Sequence, residues 1–259
     1  MTEGAERPTI AKLDALWSQW QGRWKRLLSS HLIKELVLRA SFDLEPVDPE
    51  DIARQIPLGA VPDCPSCDDV CCAGIENVVS LRLRDVAMLM DIGRTDLIRR
   101  EKPRFSEGLL AARPHLQELV ASELFQALPV LAQLGEERRC AALTPELRCG
   151  LHPNWPLSCE RFPYSLVVFR KEVVWGRRCG SRKLDPSLIA RSQEMFLASV
   201  DVYNERLKDA ILLAHARPEL DALGIGAFLT RPGQDPFEPK PDPPPRRSRL
   251  PIFGSGGAR

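Results

Sequence analysis

The feature that most constrains this chain is the density of thiols in residues 64–72. The stretch Cys-Pro-Ser-Cys-Asp-Asp-Val-Cys-Cys carries Cys64, Cys67, Cys71 and Cys72. The other cysteines of the chain form a second group downstream: Cys140, Cys149, Cys159 and Cys179. Thiolates are soft ligands that suit zinc, Cu(I) and iron–sulfur clusters. The pattern therefore predicts a fold organised around a thiolate site.

Length and cysteine usage favour reduced thiols over disulfides. A chain of 259 residues can bury a sizeable core without covalent staples. Residues 1–8 lack the apolar segment of a secretory signal, so we expect a cytoplasmic protein, in which thiols stay reduced and bind metals or act in catalysis. The alternative is a framework of four disulfides joining the eight cysteines.

Charge and hydropathy exclude two classes of partner. The net charge is +1, with 36 basic and 35 acidic residues, so no strong field attracts nucleic acid or anionic lipid. The apolar run Leu32–Leu38 is interrupted by Lys34 and Glu35 and is far shorter than the ~20 residues needed to cross a bilayer. We expect neither a nucleic-acid partner nor a membrane span.

Periodicity and capping residues predict most of the helices. Apolar residues from Ile10 to Leu27 recur at spacings of three and four, which predicts a helix running to about Ala40. An Asp followed by Pro marks a helix start at Asp48 and again at Asp185, where a long helix to about Ala216 should begin. Shorter helices are expected over residues 85–90, over much of 106–133 and after Pro218.

Three short strand regions are expected around the cysteines. Residues 78–83 alternate and are rich in β-branched side chains, which is typical of a strand. Residues 144–148 should form a hairpin loop between two cysteine-bearing strands, and Arg170–Lys171 should form the turn of a second hairpin.

These elements predict an α+β fold in which helix predominates. A small cysteine-rich core of short antiparallel strands should be clasped by N- and C-terminal helices. We expect an N-terminal helical segment over residues 1–46 and a cysteine-cluster metal-binding domain over 47–183. A C-terminal helical segment packing on that domain should cover 184–230, and a Pro-rich disordered tail should cover 231–259.

The doublet Cys71–Cys72 carries more chemical information than the Cys64–Cys67 pair. Two cysteines separated by two residues can turn both sulfurs toward one metal. Neighbouring side chains instead diverge by about 100° on a helix and point to opposite faces of a strand. The doublet therefore fits one small tetrahedral ion poorly. One sulfur lies outside the first coordination shell, or the two serve separate centres, or both grip a cluster approached from two directions.

Other side chains near the cysteines are weaker ligand candidates. His152 follows Cys149 by three residues and could add an imidazole ligand. Asp68 and Asp69 lie inside the first cysteine group, where they could bind a metal or cap backbone amides.

These motifs resemble the YkgJ-type cysteine-cluster proteins, a family of zinc- or iron-chelating domains. The first group matches the opening of the family pattern, residues 78–90 match its strand and acidic helix, and Cys149, Cys159, Phe162 and Pro163 match its closing element. The resemblance covers roughly residues 60–180 and accounts for every cysteine in order. The family usually has Arg after the last motif cysteine and Arg-Pro before it. This chain has Glu160 and Trp155-Pro156, with Arg161 one position later.

The resemblance implies metal binding through the cysteines. The favoured function is a thiolate-ligated centre, preferably an iron–sulfur cluster, with an undetermined redox, sensing or accessory role. All eight cysteines are ligand candidates. The first alternative is a structural zinc module whose helices or tail bind protein partners. The second is a cluster-dependent enzyme that modifies proteins, because the flagellin lysine methylases carry a similar pattern. The sequence leaves the oligomeric state open.

Overall fold

The computed structural model describes residues 7–21, 46–63, 71–74, 77–176 and 179–238. The predictions for Cys64, Cys67, Asp68 and Asp69 lie outside these residues, as does the predicted first helix beyond Gln21. Within the described residues the fold is α+β and helix-dominated, as predicted.

The helices follow the predicted order, with shorter segments in the middle of the chain. Their bounds are α1 Pro8–Gln21, α2 Leu83–Asp91, α3 Glu107–Ala112, α4 Pro114–Ala121, α5 Glu123–Ala127, α6 Leu157–Glu160, α7 Ile189–His215 and α8 Arg217–Ala222. Single turns of 3-10 helix occupy Pro49–Asp51, Thr95–Leu97, Val168–Arg170, Pro186–Leu188 and Ile225–Phe228.

Both predicted Asp-Pro helix starts are confirmed, although each begins as a 3-10 turn. The Asp48 carboxylate accepts a hydrogen bond from Glu50 N, but that turn ends after three residues. The Asp185 carboxylate accepts from Ser187 N, and the 3-10 turn leads directly into α7. Asp and Pro therefore identified the start correctly in both cases.

The N-terminal helix is fixed at its first turn by a carboxylate from another helix. Asp91, at the end of α2, accepts hydrogen bonds from Thr9 N at 2.9 Å and Ile10 N at 3.1 Å. Leu13 and Leu16 are buried, and α1 packs on α2 and α7. The described part of the predicted apolar stripe is thus a packed seam.

The strands are short and pair in four small sheets among the described residues. Their bounds are β1 Ala53–Arg54, β2 Ala60–Pro62, β3 Ile98–Arg99, β4 Val130–Leu131, β5 Gln133–Leu134, β6 Arg139–Cys140, β7 Tyr164–Val167, β8 Glu172–Trp175 and β9 Arg182–Leu184. Antiparallel pairs join β2 to β9, β3 to β4, β5 to β6 and β7 to β8. The predicted short antiparallel pairs are thus present, and β1 adds to β8 in parallel.

The predicted strand over residues 78–83 is only partly right. The segment is extended, and Leu131 N donates to Val79 O at 2.9 Å while Leu81 N donates to Pro129 O at 3.0 Å. Regular pairing is limited to a bridge between Ser80 and Val130. Leu83 is already the first residue of α2.

The long helix α7 is the main support of the core. It packs on α5, α6, β2 and β7, and its buried side chains include Met195, Val200, Leu207 and Leu212. Ile189, at the start of the helix, is exposed. The main contacts of the described part of α1 are with α2 and α7. Whether α1 and α7 clasp a cysteine-rich core stays a prediction.

The chain beyond α8 is packed against the rest of the fold as far as Glu238. Lys102 N donates to Pro236 O at 2.7 Å, and Glu238 N donates to Lys102 O at 2.9 Å. The Glu238 carboxylate also receives two hydrogen bonds of 3.0 Å from Arg138. Residues 239–259 of the predicted tail lie outside the described residues. No helix in the described ranges is long and apolar enough to cross a bilayer.

Candidate metal centre

Cys72, the second cysteine of the doublet, lies beside the β5–β6 hairpin. Cys140 N, in β6, donates to Cys72 O at 2.7 Å. Two residues on, Gly74 N donates to Glu137 O at 3.0 Å, and the Gln133 side-chain amide donates to Gly74 O at 3.3 Å. Main-chain pairing therefore brings Cys72 beside Cys140, although 68 positions separate them in the sequence.

The predicted cysteine hairpin is present, in an abbreviated form. Leu143 forms an antiparallel bridge with Cys149, and Gly150 N donates to Ala142 O at 2.7 Å. Thr144 N closes the loop by donating to Arg148 O at 2.8 Å. Cys149 therefore returns next to the strand that carries Cys140, because the loop between them is short.

Cys159 lies in the single helical turn α6, which a buried carboxylate holds. Asp85 Oδ1 accepts from Leu157 N at 2.9 Å, and Asp85 Oδ2 accepts from Arg82 N at 2.8 Å. Asp85 is almost fully buried. One side chain thus satisfies the amides that start both α2 and α6, which fixes the position of Cys159 relative to α2.

Four thiols converge around Cys159. Burial raises the pKa of the Cys159 thiol, and the charges of Cys140, Asp85, Cys72 and Cys149 raise it further. Charge interactions of this kind require the groups to be near one another. Cys140, Cys149 and Cys159 are free thiols rather than disulfide partners. The structure therefore brings together cysteines from the doublet, the β5–β6 hairpin, the cysteine loop and α6.

The thiol of Cys140 is half-buried, and the main-chain amides of Ala142 and Leu143 lie close to it. Burial raises the pKa of this thiol, and the neighbouring Cys149 adds to the effect. Hydrogen bonds from the amides of Ala142 and Leu143 act in the opposite direction, because they stabilise the thiolate.

Two other cysteines have different surroundings. Cys71 is exposed, as is its neighbour Cys72 in the same turn. Cys179 is buried in the connection between β8 and β9, where its thiol donates to Ser181 O at 3.1 Å. Asp63, the last described residue before the first cysteine group, is paired with Ser181 through a hydrogen bond of 3.1 Å from Ser181 Oγ to Asp63 O. The assignment of all eight cysteines as ligands stays a prediction.

His152 and Trp155 pack against each other at the edge of the cysteine loop. Their ring centroids lie 4.8 Å apart with a near-perpendicular orientation. The Trp155 ring is also covered by the guanidinium of Arg191, 4.5 Å from its centroid, so Trp155 connects this loop to α7. His152 is exposed, and its role as a ligand stays a prediction.

A buried cluster of charged side chains lies beside the four thiols. Asp209, in α7, accepts from Leu83 N at 3.2 Å and pairs with Arg82 Nη1 at 3.4 Å. Burial lowers the pKa of Arg206 to about 9, and the charges of Arg82 and Arg161 contribute to the shift. Burial and Arg82 also lower the pKa of Arg161, whereas the Cys159 thiol raises it. The guanidinium groups therefore lie near one another and near Cys159.

The two buried carboxyl groups of this cluster hold protons more tightly than exposed ones. Burial raises the pKa of Asp85 to about 6, against hydrogen bonds from Arg82 and Leu157 that lower it. Burial raises the pKa of Asp209 to about 7, against the opposing charge of Arg82. Ionisation of either carboxyl group is therefore opposed by burial and favoured by the charge of Arg82.

Sequence reasoning missed most of this cluster. Charged residues inside helices are normally solvated, so the pattern gave no reason to bury Asp209 or Arg206. Asp85 carried a weak signal, because a carboxylate at the third residue of a helix suits a capping interaction. Its second partner, Leu157 N, is 72 positions away, and no local pattern predicts such a contact.

The donor chemistry of the four thiols fits a soft metal or an iron–sulfur cluster. Among the described side chains, no three His, Cys, Asp or Glu groups have the spacing of a single-ion site. Comparison with protein families, curated proteins and solved structures finds no match for this chain. The resemblance to the YkgJ-type family accordingly stays a prediction.

Proposed function

We propose that this chain binds a thiolate-ligated metal centre, with an iron–sulfur cluster as the favoured cofactor and a redox, sensing or accessory role. The observation that carries the proposal is the convergence of Cys72, Cys140, Cys149 and Cys159 from separate segments of the chain. In a reducing compartment, clustered thiols bind a metal more often than they form structural disulfides. A cytoplasmic location is part of this proposal.

The chain's own residues supply three properties that a thiolate centre needs. The four thiols provide soft ligands. The amides of Ala142 and Leu143 act against the rise that burial causes in the pKa of Cys140, and Asp85 fixes the turn that carries Cys159. An iron–sulfur cluster bound there would supply one-electron chemistry, whereas zinc has no redox chemistry and would be the structural metal of the alternative.

Anaerobic purification tests the identity of the metal. We expect a brown protein with broad absorption near ~400 nm that contains iron and acid-labile sulfide. A colourless protein with stoichiometric zinc would replace the favoured cofactor with the zinc alternative. A folded protein with neither metal after anaerobic reconstitution would contradict the proposed function itself.

Single cysteine variants test which thiols hold the metal. We expect Cys140→Ser, Cys149→Ser and Cys159→Ser each to lose the metal, because each removes a converging thiol. Cys179→Ser is the matched comparison, since Cys179 is buried but bonded to Ser181 O. Full metal retention in Cys179→Ser would exclude that residue as a ligand, and loss of about half would indicate a second centre. Retention in Cys159→Ser would contradict the proposed site.

A further inference from the structure

The interior beside the four thiols contains more than one guanidinium group. Arg82, Arg161 and Arg206 interact with one another as like charges. Burying a charge is unfavourable unless an opposite charge or a set of hydrogen bonds compensates for it. The groups that compensate these positive charges therefore indicate which kind of ligand the site can bind.

Arg82 has its compensating charge within the protein. Its side chain is buried, and Nη1 lies 3.4 Å from Asp209 Oδ2, whose own side chain has no solvent exposure. Asp209 is held in place by Leu83 N at the start of α2. Arg82 is thus accounted for by a fixed buried ion pair.

Arg161 has no such carboxylate among the described residues. Its Nη1 donates to Tyr164 O at 2.7 Å and to Ser165 Oγ at 3.2 Å, and both acceptors are neutral. Its Nε is buried and has no acceptor in the described part of the chain. The guanidinium is therefore anchored by neutral oxygens while its charge and one N–H remain uncompensated by the protein fold.

The thiolate form of Cys159 would place a negative charge close to Arg161, two residues along the chain. Arg161 ends the helical turn that carries Cys159, with Arg161 N donating to Leu157 O at 3.1 Å. Thiolates bound to a zinc ion or to an iron–sulfur cluster leave a net negative charge at the centre. That charge would lie next to the buried guanidinium, in a medium where electrostatic interactions are stronger than in water.

We infer that Arg161 is the internal counter-charge of the thiolate centre, an inference that rests on the proposed function. Its uncompensated charge is unfavourable in the metal-free protein and favourable in the metal-loaded one. The residue therefore shifts the balance toward the loaded form. For an iron–sulfur cluster it also favours the reduced state, because reduction adds negative charge beside it.

Comparison of the metal-free and metal-loaded forms of Arg161→Gln tests this role. We expect the rise in melting temperature produced by metal loading to be clearly smaller in Arg161→Gln than in the native protein. Arg161→Lys keeps the positive charge and should keep most of the rise. Arg148→Gln is the matched control, since Arg148 is exposed and adjacent to Cys149. It should behave like the native protein because solvent screens its charge.

The reduction potential gives a second readout when the centre is an iron–sulfur cluster. We expect Arg161→Gln to lower the reduction potential by at least about 59 mV, which corresponds to a tenfold change in a one-electron equilibrium constant. Arg161→Lys should lie near the native value, and Arg148→Gln should match it.

Equal losses of melting temperature in the metal-free and loaded forms of Arg161→Gln would overturn the inference, because they would indicate a purely structural role. A metal-free Arg161→Gln protein that fails to fold would overturn it for the same reason. An unchanged potential in a loaded Arg161→Gln protein would also contradict it. Each result differs from a failure of the proposed function, in which the native protein itself binds no metal.

Discussion

Asp85 links two segments that are distant in sequence and close in space. Its two carboxylate oxygens accept hydrogen bonds from Arg82 N and Leu157 N, and the side chain has almost no solvent exposure. An asparagine replaces one of these two oxygens with an NH2 group, which can only donate, so one of the two hydrogen bonds would be lost. The residue is consequently sensitive to a change that keeps its size and shape.

We predict that Asp85→Asn lowers the free energy of unfolding by about 1–3 kcal/mol, because one buried amide is left without an acceptor. The metal content should also fall, since Cys159 loses its anchor to α2. Urea unfolding and metal analysis measure the two effects. Asp96→Asn, which changes an exposed carboxylate paired with Arg94, is the control. Equal stability of Asp85→Asn and native protein would show that the carboxylate does not hold this turn.

Asp209 should make stability depend on pH. Burial raises its pKa from 3.8 to about 7 in the folded protein. Between these values the folded state holds a proton that the unfolded state has released, so stability falls as the pH rises and levels off above about 7. We predict that Asp209→Asn flattens this decline in the metal-free protein. Urea unfolding at several pH values measures it, with exposed Glu146→Gln as the control. An unchanged slope in Asp209→Asn would assign the pH dependence to other groups.

The sequence identified the cysteines as ligand candidates but did not predict the buried charged side chains beside them. Cys140, Cys149 and Cys159 were recognisable because cysteine chemistry is specific. Arg82 and Asp209 were not, since their burial depends on how α2 meets α7, and that contact spans more than a hundred positions.

The helices and strands differ in how far local sequence determines them. Ser106, Asp185 and the breaker Pro114 mark helix ends through contacts within a few residues, so these ends were predictable. The β2–β9 and β1–β8 pairs join residues more than a hundred positions apart. Strands of two or three residues carry too little pattern to specify such partners.

Gly59 is a position at which the neighbouring backbone leaves no room for a side chain. Its φ is +78°, and a Cβ there would lie 2.5 Å from Asp185 O. Gly59 precedes β2, and Asp185 N donates to Gly59 O at 3.0 Å, so the contact holds β2 against β9 and the start of α7.

We predict that Gly59→Ala destabilises the protein by clearly more than about 1 kcal/mol, because a steric clash adds to the strain of a positive φ. Gly93→Ala is the matched control: its φ is +69°, but a Cβ there meets nothing within 4 Å. Urea unfolding of both variants measures the difference. Similar losses would show that the backbone at Asp185 adapts to the added methyl group.

For the molecule as a whole, residues 231–238 belong to the packed fold. Their main chain pairs with Lys102, whose buried ammonium donates to Gln126 O at 2.8 Å. Arg138 and Glu238 add a bidentate ion pair. The proline-rich composition predicts disorder from residue 231. Composition alone does not show which hydrogen bonds and ion pairs a segment can form.

We predict that a chain ending at Thr230 is less stable than one ending at Glu238 by about 1–3 kcal/mol, since the shorter chain loses the main-chain bonds to Lys102 and the ion pair with Arg138. Urea unfolding of the two metal-free chains measures the difference. Indistinguishable midpoints would show that residues 231–238 contribute no stability.

The hydrogen bond from Cys140 N to Cys72 O involves neither sulfur. The alignment of these two ligand candidates is therefore kept by the main chain, whatever the oxidation state or occupancy of the thiols. A metal arriving at the protein would meet a site whose largest loop is already closed, so binding would order fewer degrees of freedom. Reloading a depleted protein would accordingly resemble ligand binding to a folded receptor more than refolding.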